Sequence, residues 1–323
     1  MITAKCILKI RDDNNIIKKY KLQDTNGNVR EVEPAELKRA IRDGKIQITN
    51  LKLTSDNRLI DTHQTDTKIS NTEVLINKLK LIGYKNAVQI YTEFGTVCYL
   101  MSKGNDDYAV IIPDDIQKVV KSCTGWEAIK NLKGKLKIVG GSGLTDISYM
   151  FYGCRADLID LSSLNTSNVT AMASTFEGCR AQTLILTSFK TQNVQDMSYM
   201  FKMCDVQELD LSSFDTRNLT EMSYMFDCCD AKHINLSSFN TSKVQVMHGI
   251  FRDCKAEALD LTSFDTRNVI SFNNMFARCR AKTINISSFE VRDSADFMRM
   301  FKMCDSKIIT NNARLLQEYQ SGK

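Results

Sequence analysis

The second half of this 323-residue chain is predicted to form a curved α/β solenoid, a stack of seven 25-residue strand-turn-helix units. Three observations predict this fold. A cysteine recurs every 25 residues, a phenylalanine precedes each cysteine by three residues, and an alternating apolar pair follows about five residues later. A fixed period of 20–50 residues is typical of repeat architectures. The cysteines in this register are Cys154, Cys179, Cys204, Cys229, Cys254, Cys279 and Cys304.

The apolar pair of each repeat predicts a short β-strand. Leu209 and Leu211, for example, flank a polar residue, and a period of two turns one face of a strand inward. A unit of about 25 residues with an L-x-L strand has the geometry of a leucine-rich repeat.

The stretch that ends at each cysteine predicts an α-helix. In one repeat Val169, Met172, Phe176 and Cys179 lie at offsets 0, 3, 7 and 10, which gather on one side of a helix. Thr166 precedes this stretch and is the expected N-cap of the helix. A threonine occupies the same position in later repeats. Packed helices need about 8–10 Å and strands about 4.8 Å, so the strand side is expected to be concave.

Both ends of the repeat array are predicted to be capped, because exposed solenoid ends need polar-faced covers. The solenoid with its caps is assigned to residues 113–323. The predicted cap elements are a helix at 114–132, a first strand at 135–139, a last strand at 307–310 and a helix at 313–319.

The first 112 residues show no repeat and are predicted to form two small α+β parts. Residues 1–67 are expected to form one module, and residues 68–112 a second segment of a helix and a hairpin. The predicted strands are 2–11, 16–23, 46–53, 87–94, 96–101 and 108–112, and the helices are 34–43 and 72–81.

The cysteine row is open to four interpretations. Disulfides need Cα atoms about 4.4–6.8 Å apart, and helix-side positions of adjacent repeats are expected to be farther apart. A zinc site needs clustered ligands, whereas Cys228 and Cys229 are the two cysteines that adjoin. A catalytic thiol needs a histidine partner. The fourth interpretation, small buried core residues, is favoured, so no metal or cofactor is expected.

Outward side chains of the predicted strands are the first candidate partner-binding group, on the concave face. His233 is expected one rung from Glu208 and near Asp210. It is interpreted as a contact point for a partner, as a pH-sensitive residue or as a solvated surface residue. The aspartates of this group, such as Asp210 and Asp260, occupy alternate rungs and are therefore expected to lie about 9–10 Å apart. This resembles the separation in inverting glycosidases, but avoidance of like charges on neighbouring strands explains it better. The candidates are Glu208, Asp210, His233, Asn235, Asp260 and Asn285.

Three tyrosines are the second candidate group, on the convex face. Tyr149, Tyr199 and Tyr224 share the position two residues before the repeated phenylalanine. Their helical phase predicts that they point away from the core. A repeat consensus explains them as well as a binding site does.

Two segments of the repeats resemble the BspA-type leucine-rich-repeat surface proteins of bacteria. They are MSYMFKMCDVQELDLSSFDTRNLTEMSYMF, from Met197, and LDLTSFDTRNV, from Leu259. The resemblance covers about residues 144–309. It implies adhesion or protein binding by a secreted or cell-surface protein. This chain departs from the family in two ways: alanine or valine stands two residues after the cysteine, where the family has leucine at three, and no lipobox or wall anchor is visible.

Composition and motifs narrow the function further. No apolar run approaches the roughly 20 residues of a membrane helix, and no nucleotide-binding, metalloprotease or hydrolase motif is present. A non-enzymatic protein-binding protein without a small-molecule substrate is therefore expected. The absence of a secretory signal predicts a cytoplasmic location, whereas the resemblance implies the cell surface.

Two alternatives to an adhesin remain open. One is an intracellular binding module or inhibitor that acts on a host protein and is carried by a mobile element. The other is nucleic-acid contact through the basic N-terminal part: residues 1–140 hold 24 Lys/Arg and 17 Asp/Glu, a net charge of +7. Residues 141–323 hold 19 and 21, a net charge of −2. Because this excess is spread over 140 residues, a nucleic-acid partner is not favoured.

Overall fold

The computed structural model describes residues 2–11, 17–24, 26, 28–43, 45–48, 51–53, 59–61, 71–104, 106–121 and 124–322. The chain divides into two compact units, Met1–Ser70 and Asn71–Lys323. The strands are β1 (Ile2–Arg11), β2 (Ile17–Asp24), β3 (Val29–Val32), β4 (Ile46–Ile48), β5 (Leu51–Leu53), β6 (Leu59–Asp61), β7 (Lys85–Tyr91), β8 (Val97–Gly104), β9 (Asp107–Ile112), β10 (Lys135–Gly140), β11 (Leu158–Leu164), β12 (Thr183–Ile185), β13 (Glu208–Asp210), β14 (His233–Asn235), β15 (Ala258–Asp260), β16 (Thr283–Asn285) and β17 (Lys307–Ile309). The helices are α1 (Pro34–Arg42), α2 (Asn71–Leu81), α3 (Glu127–Lys130) and α4 (Ala313–Ser321).

The first unit contains a four-stranded sheet in the order β3-β2-β1-β4 and a separate β5–β6 pair. Strands β1, β2 and β3 are antiparallel neighbours, and β4 runs parallel to β1. Helix α1 begins with Pro34, a residue that favours the first helical turn, and buries Leu37. The predicted helix and the strands at β1 and β2 are therefore present, and β3 is an additional strand.

The second unit begins with a six-stranded sheet in the order β12-β11-β10-β9-β8-β7. The hairpin of the predicted segment 68–112 is thus part of the sheet that continues into the solenoid, because β9 pairs in parallel with β10. Helix α2 packs on this sheet through an apolar cluster. The buried members of the cluster are Leu79, Tyr84, Met101, Ala109, Ile111 and Val139.

The strand of each repeat is confirmed, and the chain forms a β-solenoid of about eight turns. Neighbouring strands run parallel and in register, as in the pair Leu209↔Ile234. The strand ladder is interrupted twice, between β12 and β13 and between β14 and β15.

The predicted helix of each repeat is wrong: these residues form consecutive tight turns that stack from rung to rung. The pattern is regular around Phe176. Its N–H donates to the carbonyl of Met200 on the next rung at 2.9 Å, while its carbonyl accepts the N–H of Cys179 at 3.1 Å. Alternate N–H groups therefore link rungs, and the intervening ones close local turns, so the backbone satisfies its hydrogen bonds without a helix.

Two left-handed residues in each rung explain why no helix forms. The first position holds Tyr149, Ser174, Tyr199, Tyr224, Gly249, Asn274 and Arg299, and the second Gly153, Gly178, Met203, Cys228, Asp253, Arg278 and Met303. All have φ between 53° and 63°. A positive φ ends a right-handed helix, and residues spaced by three and four still point inward from successive turns. The turn-side residues are hydrogen-bonded from rung to rung at strand-like spacing. The packed helices on which the predicted curvature was based are therefore absent from these repeats.

The core is a set of stacked identical residues. The phenylalanine before each cysteine stacks on its equivalents, with ring centroids 5.3–5.9 Å apart along the series from Phe151 to Phe301. A second stack on the strand side includes Phe239 and Phe264, at 6.2 Å. Both stacks are buried, so side chains of one type fill each layer of the interior.

The repeated threonine joins rungs instead of capping a helix. The buried Thr216 hydroxyl donates to the carbonyl of Asn240 at 3.0 Å and accepts the N–H of Asn240 at 2.7 Å. Thr166, Thr191 and Thr266 make the same pair of contacts with the next rung.

The N-terminal cap of the solenoid differs from the prediction, whereas the C-terminal cap agrees with it. Only the short α3 is helical within the predicted helix 114–132, as far as the described residues show. The predicted strand at 135–139 is confirmed as β10, and the terminal strand and helix are confirmed as β17 and α4. The Asn312 side chain caps α4, and Tyr319 packs edge-on against Phe301 at 5.5 Å. No helix in the described ranges has the length and apolarity needed to cross a membrane.

Candidate functional site

The outward side chains of strands β11–β17 form the surface that we call the strand face. Alternate residues of these short strands point to solvent, so the face consists of parallel columns of one residue from each rung. The first column is Leu158, Thr183, Glu208, His233, Ala258, Thr283 and Lys307. The second is Asp160, Ile185, Asp210, Asn235, Asp260, Asn285 and Ile309.

The centre of the first column makes no side-chain contribution to the fold among the described residues. Glu208 and His233 are register partners on neighbouring strands, and both side chains are exposed. Neither makes a hydrogen bond or an ion pair within the described part of the chain. Ala258 follows on the next rung and is also exposed. The structure thus brings Glu208 and His233 together, as the sequence predicts.

The second column anchors turns. Asp210 accepts the N–H of Ser212 at 3.1 Å and a hydrogen bond from the Asn235 amide at 3.0 Å. These hydrogen bonds lower the pKa of Asp210, those from Ser212 most of all. Asn235, Asp260 and Asn285 accept the N–H two residues on in the same way. Asx turns of this kind explain the preference for aspartate and asparagine at this position.

Two grooves lie on the strand face, next to the interruptions of the strand ladder. The first, of about 470 Å³, lies between β12 and β13 and is lined by Thr183, Ile185 and Glu208. The second, of about 430 Å³, lies between β14 and β15 and is lined by His233, Glu257 and Asp260. The candidate residues of the first column therefore border concave surfaces rather than a flat sheet.

The candidate tyrosines are half-buried, and Tyr149 packs against the core cluster. Tyr199 and Tyr224 stack with ring centroids 5.2 Å apart. Lys202 lies 5.1 Å from the Tyr199 ring and Arg252 5.4 Å from the Tyr224 ring. Tyr149 instead contacts the ring of Tyr152, at 6.2 Å. These tyrosines therefore pack along the solenoid, and cation–π contacts occupy the faces of two of them.

The seven in-register cysteines are free and buried, as predicted. Burial raises the pKa of Cys154 and of Cys229 to about 12, so these thiols stay protonated at neutral pH. The expected wide spacing is wrong: the N–H of Arg180 bonds the Cys154 carbonyl at 2.9 Å, so rungs lie at strand spacing, about 4.8 Å.

One set of three metal-ligand types lies close together within the described ranges: Asp227, Cys228 and Asp253. Its carboxylates are already neutralised, because Arg252 pairs with Asp227 at 2.7 Å and Arg278 with Asp253 at 2.6 Å. Burial first, and the neighbouring Asp227 second, raise the pKa of Cys228 to about 11. We interpret this group as an ion-pair network between rungs.

The chain matches the model of one protein family, described as Mycoplasma protein of unknown function, DUF285. The match covers residues 116–238 and 203–312, which overlap and together span the solenoid repeats. Neither the curated proteins nor the solved structures gave a match.

Proposed function

Because the chain belongs to the DUF285 family of Mycoplasma proteins, we propose that it is a repeat surface protein that binds a protein partner through its strand face. The observation that carries the proposal is the first column of that face. Its central side chains are exposed and uncommitted, while the inward residues of the same strands hold the core. Solenoids that separate these roles present extended surfaces that vary without cost to the fold.

The partner is proposed to contact Glu208, His233 and Ala258, beside the groove between β14 and β15. Asp210, Asn235, Asp260 and Asn285 border the same surface, but each also fixes a turn. Substitutions in the first column are thus expected to change contacts to a partner without disturbing a turn. The likeness to BspA-type surface proteins supports adhesion as the biological role.

We propose a binding role without catalysis. Burial raises the pKa of Cys154 and of Cys229, which makes these thiols poor nucleophiles, and His233 lies beside a carboxylate rather than a hydroxyl or thiol.

The proposed location is the outer cell surface. Protease treatment of intact native cells tests this, with a cytosolic protein as the control. Degradation of the solenoid while the control survives is expected, and survival of both would contradict the location.

Affinity capture with a strand-face variant tests the binding proposal. The variant combines His233→Lys and Ala258→Arg, and the matched control combines Gln195→Lys and Gln245→Arg, which are exposed on the turn side. Both variants add two positive charges. The captured partner is then purified, and its affinity is measured for the native chain and for both variants.

We expect the strand-face variant to bind at least about tenfold more weakly, since bulky charges at an interface centre are strongly unfavourable. The control is expected to stay within about twofold. Equal losses in both variants, or none in either, would contradict a partner at the strand face.

A further inference from the structure

A groove within the second unit lies away from the central strand face, beside helix α2. It has a volume of about 620 Å³ and opens between α2 and the strands β10 and β11. Pockets of about 300–1,000 Å³ are typical of small-molecule sites.

One wall of the groove is apolar. Val74 and Leu75 contribute from α2, Ile82 from the turn that follows this helix, and Val139 from β10. Ile82 is 56 % exposed, so apolar surface remains open to the groove. Close approach of α2 depends on Gly140, since a Cβ there would lie 3.2 Å from Leu75 Cδ1 and 2.5 Å from the Ile112 carbonyl oxygen.

Two of the charged groups on the polar wall already have partners within the protein. Asp114 already accepts from the Asn71 amide at 2.6 Å and from the Ser142 N–H at 3.3 Å. Lys137 is paired with Asp160 at 2.8 Å. Lys78, by contrast, lines the groove with no ion pair among the described residues.

Two further donors lie across from α2. The side-chain oxygen Oδ1 of Asn165 accepts the N–H of Ser167 at 3.0 Å, which leaves the side-chain NH2 group of Asn165 for a ligand. The Ser163 hydroxyl also lines the groove. An uncommitted ammonium with an amide and a hydroxyl donor complements an anionic group.

We propose that this groove binds a small amphipathic anion, with its apolar chain along α2 and its anionic head near Lys78. The chemical class is a monomeric carboxylate with a medium-length hydrocarbon chain. Its recognition combines burial of apolar surface with one charge-assisted contact.

Calorimetric titration of the full chain with sodium decanoate tests the proposal. Acetate lacks the chain, and decyltrimethylammonium reverses the charge of the head. We expect decanoate to bind, acetate to show no measurable binding, and decyltrimethylammonium to bind at least about fivefold more weakly than decanoate. Equal affinity for the two decyl compounds would overturn the assignment, as would binding to phosphatidylglycerol vesicles without binding to decanoate.

Two pairs of variants locate the site. Lys78→Glu is compared with Lys80→Glu, which makes the same charge change on α2 outside the groove. Ile82→Ser is compared with Leu81→Ser, which is 87 % exposed and does not line the groove.

We expect Lys78→Glu to weaken decanoate binding about tenfold and Ile82→Ser about threefold, with each control within twofold. These substitutions replace exposed side chains, so retained thermal unfolding midpoints are expected to show intact folding. Controls that lose as much as their partners would overturn the site.

Discussion

The strand side and the turn side of the solenoid both contain hydrogen bonds between rungs, but they differ in how tightly the sequence is constrained. On the turn side, phenylalanines stack at 5.3–5.9 Å and alternate N–H groups connect the rungs around Phe176 and its equivalents. On the strand side, three-residue strands form a ladder that is broken twice, and the outward column ranges from Glu208 to Ala258.

This difference separates stability from recognition. Every turn-side backbone and core position serves the stack, so most of the repeat consensus lies there. The strand face contributes its inward residues to the core and leaves the outward column to vary. Substitutions on the two sides should therefore have effects of very different size.

Removal of one stacked phenylalanine should produce the largest effect. Phe226 is fully buried, with ring centroids of Phe201 and Phe251 at 5.7 and 5.4 Å. Phe226→Ala is expected to lower the free energy of unfolding by about 3–5 kcal/mol, because it leaves a cavity between two rings. Urea unfolding measures this. The strand-face variant His233→Ala should stay within about 0.5 kcal/mol, and a comparable loss there would break the distinction between the sides.

Loss of one rung-joining hydroxyl should rank second. Thr216 is buried, and Thr216→Val removes both hydrogen bonds of its hydroxyl with Asn240, with an expected cost of about 1–3 kcal/mol for the two. The same substitution at exposed Thr183 is the control and should cost less than about 0.5 kcal/mol. Similar losses in urea unfolding for the two valine variants would contradict a structural role for the Thr216 hydroxyl.

Relief of a left-handed residue should stabilise the turn side slightly. Met303 has φ 54° and is 65 % exposed, so its side chain contributes little packing. Met303→Gly is expected to raise the free energy of unfolding by about 0.5–1 kcal/mol, since only glycine adopts this conformation without strain. Met298→Gly, at a 54 % exposed methionine without positive φ, should destabilise instead. Thermal unfolding distinguishes the two, and destabilisation by both would argue against strain at Met303.

The smallest effect concerns a turn of the strand face. The pKa of Asp210 is lowered in the folded chain, so its ionised form contributes stability above the unfolded pKa. That contribution is lost as the pH falls through the folded pKa. Asp210→Asn keeps an Asx turn, as Asn235 does, and should be less stable than the native chain above about pH 5, by a margin that shrinks as the pH falls. A pH-independent difference in the unfolding midpoint would contradict this.

The repeat, its strands and its buried cysteines could be predicted because period and alternation depend on local sequence. The helix could not be distinguished from stacked turns, since Val169, Met172, Phe176 and Cys179 face inward in either case. Gly153, Gly178 and Gly249 were the available signal, because glycine recurs where φ is positive. Because tyrosine, arginine and methionine occupy equivalent positions in other rungs, glycine does not recur regularly enough to indicate a positive φ there.

The candidate site was predictable only in part. Glu208 and His233 are neighbours because the register follows directly from the period. The grooves at the ladder breaks and beside α2 depend on packing between distant segments, which no local pattern encodes. Gly140, for example, matters because Leu75 approaches it from a helix some 60 residues earlier.

The turn-side connections repeat from rung to rung, so the solenoid could change its length in whole rungs. If recombination within the gene removes or duplicates one 25-residue unit, the new junction joins equivalent positions of two rungs. The order of positions along the chain is then the same as in the other rungs. Thr216 would find the next carbonyl, and Phe226 the next ring, as before. The extent of the outer surface can therefore change between generations in whole units, without any substitution needed to repair the interior.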